Sequence, residues 1–139
     1  MVNTITFDLE IYTYDVDFTG FVSPIAYHQW LEIAWLKLLD AVALPRYQLA
    51  IDNWLPLLAQ SQIQYDQPLS LGDRVQAEIW ITQIDAALME LQIRFSTDHQ
   101  AAVAEATQRW VFTDRRTRLP KSLGPELSRV FQPYLRSSS

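Results

Sequence analysis

Apolar and polar side chains alternate at the start of the chain, with Ile5, Phe7, Leu9 and Ile11 set against Thr6, Asp8 and Glu10. A period of two marks a strand with one face buried. An acidic turn follows, and the period then changes. From Pro24 to Ala43 neither glycine nor a further proline interrupts the chain. Tyr27, Trp30, Leu31, Ala34, Leu38 and Val42 recur at spacings of three and four, which is one apolar face of a helix. Ser23 before Pro24 reads as an N-cap followed by proline at the first helical position. Ile33, Trp35, Leu36 and Leu39 add a second stripe, so this helix is expected to be covered by more than water. Pro45 is expected to close it.

From residue 55 onward the period returns to two. Leu57, Ala59, Ser61, Ile63 and Tyr65 are read as alternating outward and inward along an expected strand that ends at the turn Asp66-Gln67-Pro68. After a second turn, Leu71-Gly72-Asp73-Arg74, the apolar positions are Val75, Ala77, Ile79 and Ile81, and then Met89, Leu91, Ile93 and Phe95. A hairpin at Thr97-Asp98-His99-Gln100 leads to a last strand over Ala101 to Thr113, closed by Asp114-Arg115-Arg116. The tail from Pro120 predicts one short helix with Leu127, Val130 and Phe131 as apolar contacts, and Ser137 to Ser139 are expected to fray. Strand, long helix, then four strands joined by tight turns is not the alternation of a doubly wound parallel sheet. The expected fold class is α+β: five strands, mostly antiparallel and strongly curved, packed on one central helix. No repeat or linker divides the chain, so residues 1–139 are read as one domain with a short C-terminal extension over 122–139.

Composition narrows the chemistry. A chain of 139 residues with 49% hydrophobic and 19% charged residues is globular in class. A net charge of −5 argues against a nucleic-acid platform, which needs a basic face. The absence of cysteine removes disulfides, thiolate metal sites and a cysteine nucleophile. His28 and His99 are the only histidines, too few for a multi-histidine metal site. No metal or cofactor is expected. The first residues lack a signal-peptide pattern, and no apolar run reaches the roughly 20 residues of a membrane helix. A cytoplasmic protein with no membrane partner is the expectation.

Chemistry concentrates at Asp15-Val16-Asp17-Phe18-Thr19-Gly20-Phe21-Val22, just before the helix. A helix start offers unpaired N–H groups and the positive end of the macrodipole. A carboxylate beside such donors can attack a carbonyl, or activate water against it, while the donors receive the oxyanion. Acyl-ester or thioester chemistry fits; a charged turn with an N-cap fits the same residues. Arg115, Arg116, Arg118 and Lys121 form the one dense basic cluster, suited to phosphate or to a solvated strand exit.

The pattern Asp15-x-Asp17-x-x-Gly20-x-Val22, followed by Tyr27-x-x-Trp30-Leu31-Glu32, resembles the hotdog-fold acyl-CoA thioesterases of the 4-hydroxybenzoyl-CoA thioesterase type. Tyr65-Asp66-Gln67-Pro68-Leu69-Ser70-Leu71-Gly72-Asp73 is similar to the aromatic-x-x-Pro-x-x-x-Gly-Asp turn of that family. The likeness covers roughly residues 5 to 120. It implies a curved antiparallel sheet around a long helix, with protomers paired as a homodimer or homotetramer and active sites between them. It also implies an acyl-CoA substrate whose nucleotide lies near the end of the last strand.

Under that resemblance Asp17 is the catalytic carboxylate, as nucleophile or general base. Gly20, Phe21, Val22 and Tyr27 would bind substrate beside it, with Phe21 and Tyr27 as acyl-pocket walls. Arg115, Arg116 and Arg118 would bind coenzyme A phosphates. Asp15 is read as a solvated turn acid, or as a like charge tuning Asp17. The tryptophans are read mainly as core. His28, His99 and Glu32 are read as solvated, which disfavours a hotdog dehydratase. Pro24 departs from the family, because it removes an N–H where the family carries one. Oxyanion stabilisation is then expected from Val22, Ser23, Ile25 or Ala26, or from the Ser23 hydroxyl. The expected activity is hydrolysis of acyl-CoA thioesters with aromatic or medium-chain acyl groups. The alternatives are a non-catalytic acyl-binding module and an acyl-carrier-protein thioesterase.

Overall fold

A computed structural model describes residues 3–44 and 46–136. Its elements are β1 (Ile5–Leu9), α1 (Pro24–Ala41), α2 (Arg46–Ile51), β2 (Trp54–Tyr65), β3 (Val75–Asp85), β4 (Leu88–Thr97), β5 (Ala104–Asp114) and α3 (Gly124–Phe131). Single 3-10 turns lie at Thr13–Asp15 and Gln132–Tyr134. The strands form one five-stranded sheet in the order β1-β3-β4-β5-β2, with every ladder antiparallel.

Helix α1 starts where the sequence indicates. Ser23 is extended, its Oγ accepts the Ile25 N–H at 3.1 Å, and Pro24 occupies the first turn. Ala26, Tyr27, Trp30, Leu31, Ala34, Trp35, Leu38 and Leu39 are buried. At 100° per residue these positions sweep an arc of about 220°, more than half the helix circumference. A flat layer cannot cover such an arc. The sheet curves instead, helped by single-residue bulges at Ala59 in β2 and Thr82 in β3; bulges bend a strand and increase its twist. Ile79, Ile81, Met89, Leu91, Ile93, Phe95 and Phe112 from the inner face complete the core around the helix.

At the centre Trp35 of α1 stacks on Trp110 of β5, with ring centroids 4.3 Å apart and planes 13° from parallel. The indole N–H of Trp110 donates to Gln108 Oε1 at 3.1 Å, and Gln108 Nε2 donates to Ser61 Oγ at 3.3 Å. Those bonds allow a buried amide on an otherwise apolar face. The C-terminal extension is part of the core. Phe131 is buried edge-on against Phe112 at 6.2 Å, and Leu135 bridges Ile81 in parallel beside β1.

Several expectations need correction. Helix α1 ends at Ala41, two residues short of Ala43, and Pro45 lies outside the described residues, as do Ser137 to Ser139. Helix α2 carries no strong periodicity and was not expected. Strand β5 begins at Ala104 rather than Ala101. In β2 the expected outward and inward alternation fails: Leu57, Ala59, Ser61 and Tyr65 are exposed and Ile63 is half-buried. β2 is an edge strand, and the bulge at Ala59 changes which face each residue takes. Ile33 and Val130 are exposed. Of the five tryptophans, four are buried and Trp54 is half-buried.

Replacing Trp35 by alanine removes both the stack and the packing on Phe112, so it should cost about 3–5 kcal/mol in denaturant unfolding. Exposed Ile25 replaced by alanine should change stability by less than about 0.5 kcal/mol.

Candidate active site

The acidic segment folds as a miniature hairpin. Val16 pairs with Val22 as an antiparallel bridge. The Ser23 N–H donates to the Asp15 carbonyl at 2.7 Å on one side of that bridge, and the Asp17 N–H donates to the Phe21 carbonyl at 3.0 Å on the other. Gly20 N–H closes the turn on the Asp17 carbonyl at 3.0 Å, with Gly20 at φ +86°. A side chain there would be strained, so the glycine has a backbone reason. The Val22 N–H donates to Leu69 O at 2.8 Å and ties the hairpin to the segment that leaves β2.

Asp17 sits at the base of this turn, half-buried. Its Oδ1 accepts the Thr19 hydroxyl and the Thr19 N–H, the latter at 2.9 Å. The hydroxyl first, and then the amide, hold the carboxyl below its usual range. At neutral pH the group is an anion. Asp15 corrects its expected role, because it is 5% exposed rather than solvated. Its Oδ2 accepts the Tyr12 N–H at 2.9 Å while its carbonyl holds Ser23, so one residue clamps both ends of the loop.

Beside the hairpin lies an open cleft of about 310 Å³ lined by Val22, Pro24, Tyr27, Tyr65, Asp66, Gln67 and Pro68. Tyr27 is its floor, buried and packed edge-on against Tyr65 at 5.0 Å, Trp30 at 5.1 Å and Phe95 at 5.6 Å. Burial first, and then Tyr65, pushes its phenol up to about 12, so it stays neutral at physiological pH. Val22 and Tyr27 therefore share a cavity, while Phe21 stays 43% exposed at the hairpin. Phe18, not singled out in the sequence, is 99% exposed at the tip of the turn. Its position between two motif residues gives no such signal, because pattern reading assigns large aromatics to the interior.

The amides proposed as oxyanion donors are all engaged. Val22 N–H bonds Leu69 O, Ser23 N–H bonds Asp15 O, Ile25 N–H bonds Ser23 Oγ, and Ala26 N–H bonds Ser23 O at 3.0 Å. Pro24 has none. His28, Glu32 and His99 are exposed.

The basic cluster lies elsewhere in the chain. Asp114 Oδ1 accepts the N–H groups of Arg116 at 2.9 Å and Thr117 at 3.0 Å, and Asn53 Nδ2 donates to Oδ2 at 2.8 Å. This carboxylate organises the turn from which Arg115, Arg116 and Arg118 project as exposed side chains. Lys121 stands 4.1 Å above the Trp54 ring. The ladder between β2 and β5 runs from Trp54 opposite Asp114 to Tyr65 opposite Ala104. Asp17 is at the Tyr65 end and the arginines at the Trp54 end, on the order of 30 Å away along the strands. One chain does not bring the two groups together.

A larger depression of about 720 Å³ is lined by Asp8, Glu10, Asp73 and Asp98 with only Arg74 to balance them, the wrong sign for phosphate. Among the described residues no group of three or more histidines or carboxylates is placed to hold a metal ion. No helix among them is long and apolar enough to cross a membrane.

Solved structures share this architecture. A DHNA-CoA thioesterase from Staphylococcus aureus superposes with a TM-score of 0.85 at 12% identity, over 95% of this chain and 90% of that one. A 1,4-dihydroxy-2-naphthoyl-CoA thioesterase from Synechocystis gives a TM-score of 0.82 at 22% identity, over 91% and 93%. A Staphylococcus aureus protein solved in complex with CoA gives 0.88 at 13% identity, over 100% and 90%. At such identities the likeness shows the hotdog fold and nothing further. No curated protein matches the chain. The family model of the thioesterase-like superfamily matches residues 11–131, nearly the whole length of the fold, and the chain belongs to that superfamily.

Proposed function

We propose that the protein hydrolyses acyl-CoA thioesters, with Asp17 as the attacking carboxylate. The observation that carries this reading is an ionised Asp17 on the tight turn whose Val22 lines the aromatic cleft and whose end leads into α1. Attack by Asp17 on the thioester carbonyl expels the coenzyme A thiolate and leaves a mixed anhydride, which water opens to the free acid. The lowered carboxyl of Asp17 keeps the side chain ionised at neutral pH, the form that either direct attack or activation of water requires. The cleft is lined by the rings of Tyr27 and Tyr65, which meet edge-on and offer an apolar surface for an aromatic or medium-chain acyl group. The Synechocystis neighbour, a 1,4-dihydroxy-2-naphthoyl-CoA thioesterase, supports an aromatic acyl group by analogy.

The active unit of this proposal is at least a homodimer, with a homotetramer as its doubled form. Strand β2 is a long sheet edge with exposed Leu57, Leu58 and Tyr65, the kind of edge that proteins cover. Two copies paired antiparallel along β2 bring the Tyr65 end of one against the Trp54 end of the other. Asp17 and the partner's Arg115, Arg116 and Arg118 then face one site, with the carboxylate at the thioester and the guanidinium groups at the phosphates. A cysteine-free chain suits the reducing cytoplasm as its setting.

A second reading has its own observation. With Pro24 present and the amides of Val22, Ser23, Ile25 and Ala26 engaged, the helix start has no free backbone donor for an oxyanion. A module that binds acyl-CoA, or an acyl carrier protein, without turnover is that reading. Protection of the protein against heat by a CoA ester that is never hydrolysed would establish it.

Asp17→Asn should lower kcat at least about 100-fold in a free-thiol assay over a panel of acyl-CoA esters. The reactive form is the anion, and its pKa lies below the ordinary carboxyl value. Activity owed to Asp17 is thus retained above about pH 4 and lost only as pH falls through that lowered value. Thr19→Val should move this acid limb upward.

Arg115→Ala/Arg116→Ala should raise KM for CoA esters and leave short thioesters without the nucleotide unaffected; equal effects on both would remove the phosphate assignment. Mixing that variant with Asp17→Asn should restore turnover at low substrate, because a heterodimer contains one intact composite site. No recovery after confirmed subunit exchange would place both groups in separate sites.

A further inference from the structure

We infer that the Tyr27 hydroxyl is a specificity-determining donor in the aromatic cleft, favouring acyl groups that carry a neutral acceptor oxygen. The inference rests on the acyl-CoA reading of the protein and deepens it by naming the acyl class.

A polar atom without a partner stands at the floor of the cleft. Tyr27 is 3% exposed, and Trp30, Tyr65 and Phe95 hold its ring edge-on. Its oxygen makes no hydrogen bond to any described residue. Among those residues Arg109 Nε is the one side-chain nitrogen or oxygen that is both sealed from solvent and unbonded. The Tyr27 oxygen is therefore not sealed, and the cleft that Tyr27 lines is its opening. A donor so deeply placed is stabilised by whatever accepts from it there.

The other donors of the lining are engaged or absent. The Val22 N–H donates to Leu69 O at 2.8 Å, and those of Asp66 and Gln67 donate to Val103 O at 2.8 and 3.0 Å. The amides of Tyr27 and Tyr65 belong to α1 and to the β2–β5 ladder. Pro24 and Pro68 have no N–H. Two phenols and the Gln67 side chain are left to meet a ligand. Tyr65 and Gln67 are exposed and served by water, whereas Tyr27 is buried.

Chemistry sets the class of ligand. Tyr27 stays protonated at physiological pH, because burial and then Tyr65 push its phenol up to about 12. It is thus a standing donor. Asp66 adds an acid to the same lining, so the matching oxygen is a hydroxyl, ether or ketone and not a second carboxylate. A cavity of about 150 Å³ takes up benzene, so about 310 Å³ holds a substituted ring or a short chain. The cleft is open, and water satisfies the hydroxyl when no ligand is bound. Selectivity is then the net worth of one neutral hydrogen bond, about 3- to 10-fold.

Tyr27→Phe deletes one oxygen and keeps the ring. Two isosteric pairs of esters test it: 4-methoxybenzoyl-CoA against 4-ethylbenzoyl-CoA, and 6-hydroxyhexanoyl-CoA against heptanoyl-CoA. Turnover is read as kcat/KM with Asp17 intact, and Kd by calorimetry in the Asp17→Asn background. In at least one pair Tyr27→Phe should lower the preference for the oxygen-bearing ester by about 3- to 10-fold. The hydrocarbon ester should be unaffected and the melt unchanged. Tyr65→Phe should leave the preference as it is.

An unchanged preference in both pairs overturns the inference, and so does one that falls in Tyr65→Phe alone. Equal losses on both members of each pair also overturn it, since they mark a structural role. A Kd preference erased by Tyr27→Phe, with no ester hydrolysed, supports the inference and removes the hydrolase reading. Hydrolysis with an unchanged preference does the reverse. Wild type that binds none of the four esters overturns both.

Discussion

Burial of an arc wider than half of α1 is the constraint from which the rest of this structure follows. A single helix with apolar side chains from Ala26 round to Leu39 cannot be covered by a flat layer. The sheet has to curve, and it does so with bulges where the partner strand would otherwise run straight. Wrapping leaves one long strand, β2, at an exposed edge and fixes the helix start against the segment that leaves it. The stack of Trp35 on Trp110 holds the middle of that arrangement, and Gln108 is tolerated in the same layer because both ends of its amide are bonded.

The position of Asp17 is a consequence of the same wrapping. Val22 N–H bonded to Leu69 O ties the loop to the turn after β2, and Asp15 holds the start of the loop and its end at once. Asp17 is thereby held at the base of a tight turn, with its carboxylate fixed by Thr19. The arrangement of donors is unusual in a way that matters for mechanism. A helix start normally leaves amides free, but here the N-cap, the loop carbonyls and a proline use them up.

Separation of charge along the β2 and β5 ladder explains why a single chain is half of a site in the proposed function. An acidic protein can bind a polyphosphate only where cations are gathered, and the Asp114 turn gathers them at the end remote from Asp17. Antiparallel pairing of two edges is the simplest operation that removes the mismatch, since a two-fold axis exchanges the ends of a strand.

Much of this was legible in the residues themselves. Alternation located β1, β3 and β4, the three-and-four spacing located α1, and Ser23-Pro24 marked its first turn, because each of these signals depends on backbone geometry and one buried face. The motif around Asp17 and Gly20 was visible for the same local reason. Other features depended on contacts distant in sequence. The edge position of β2 and its bulge overrode the alternation of Leu57, Ala59 and Ser61. Asp15 was buried by a loop that closes only against the helix start. Helix α2 has too few residues for periodicity to register. Which amides remain free, and how far Asp17 lies from Arg115, are properties of chain packing. The sequence by itself determined the elements and the chemical groups; the tertiary structure decided which groups meet, because hydrogen-bond partners and sheet order are set by residues far apart in the chain.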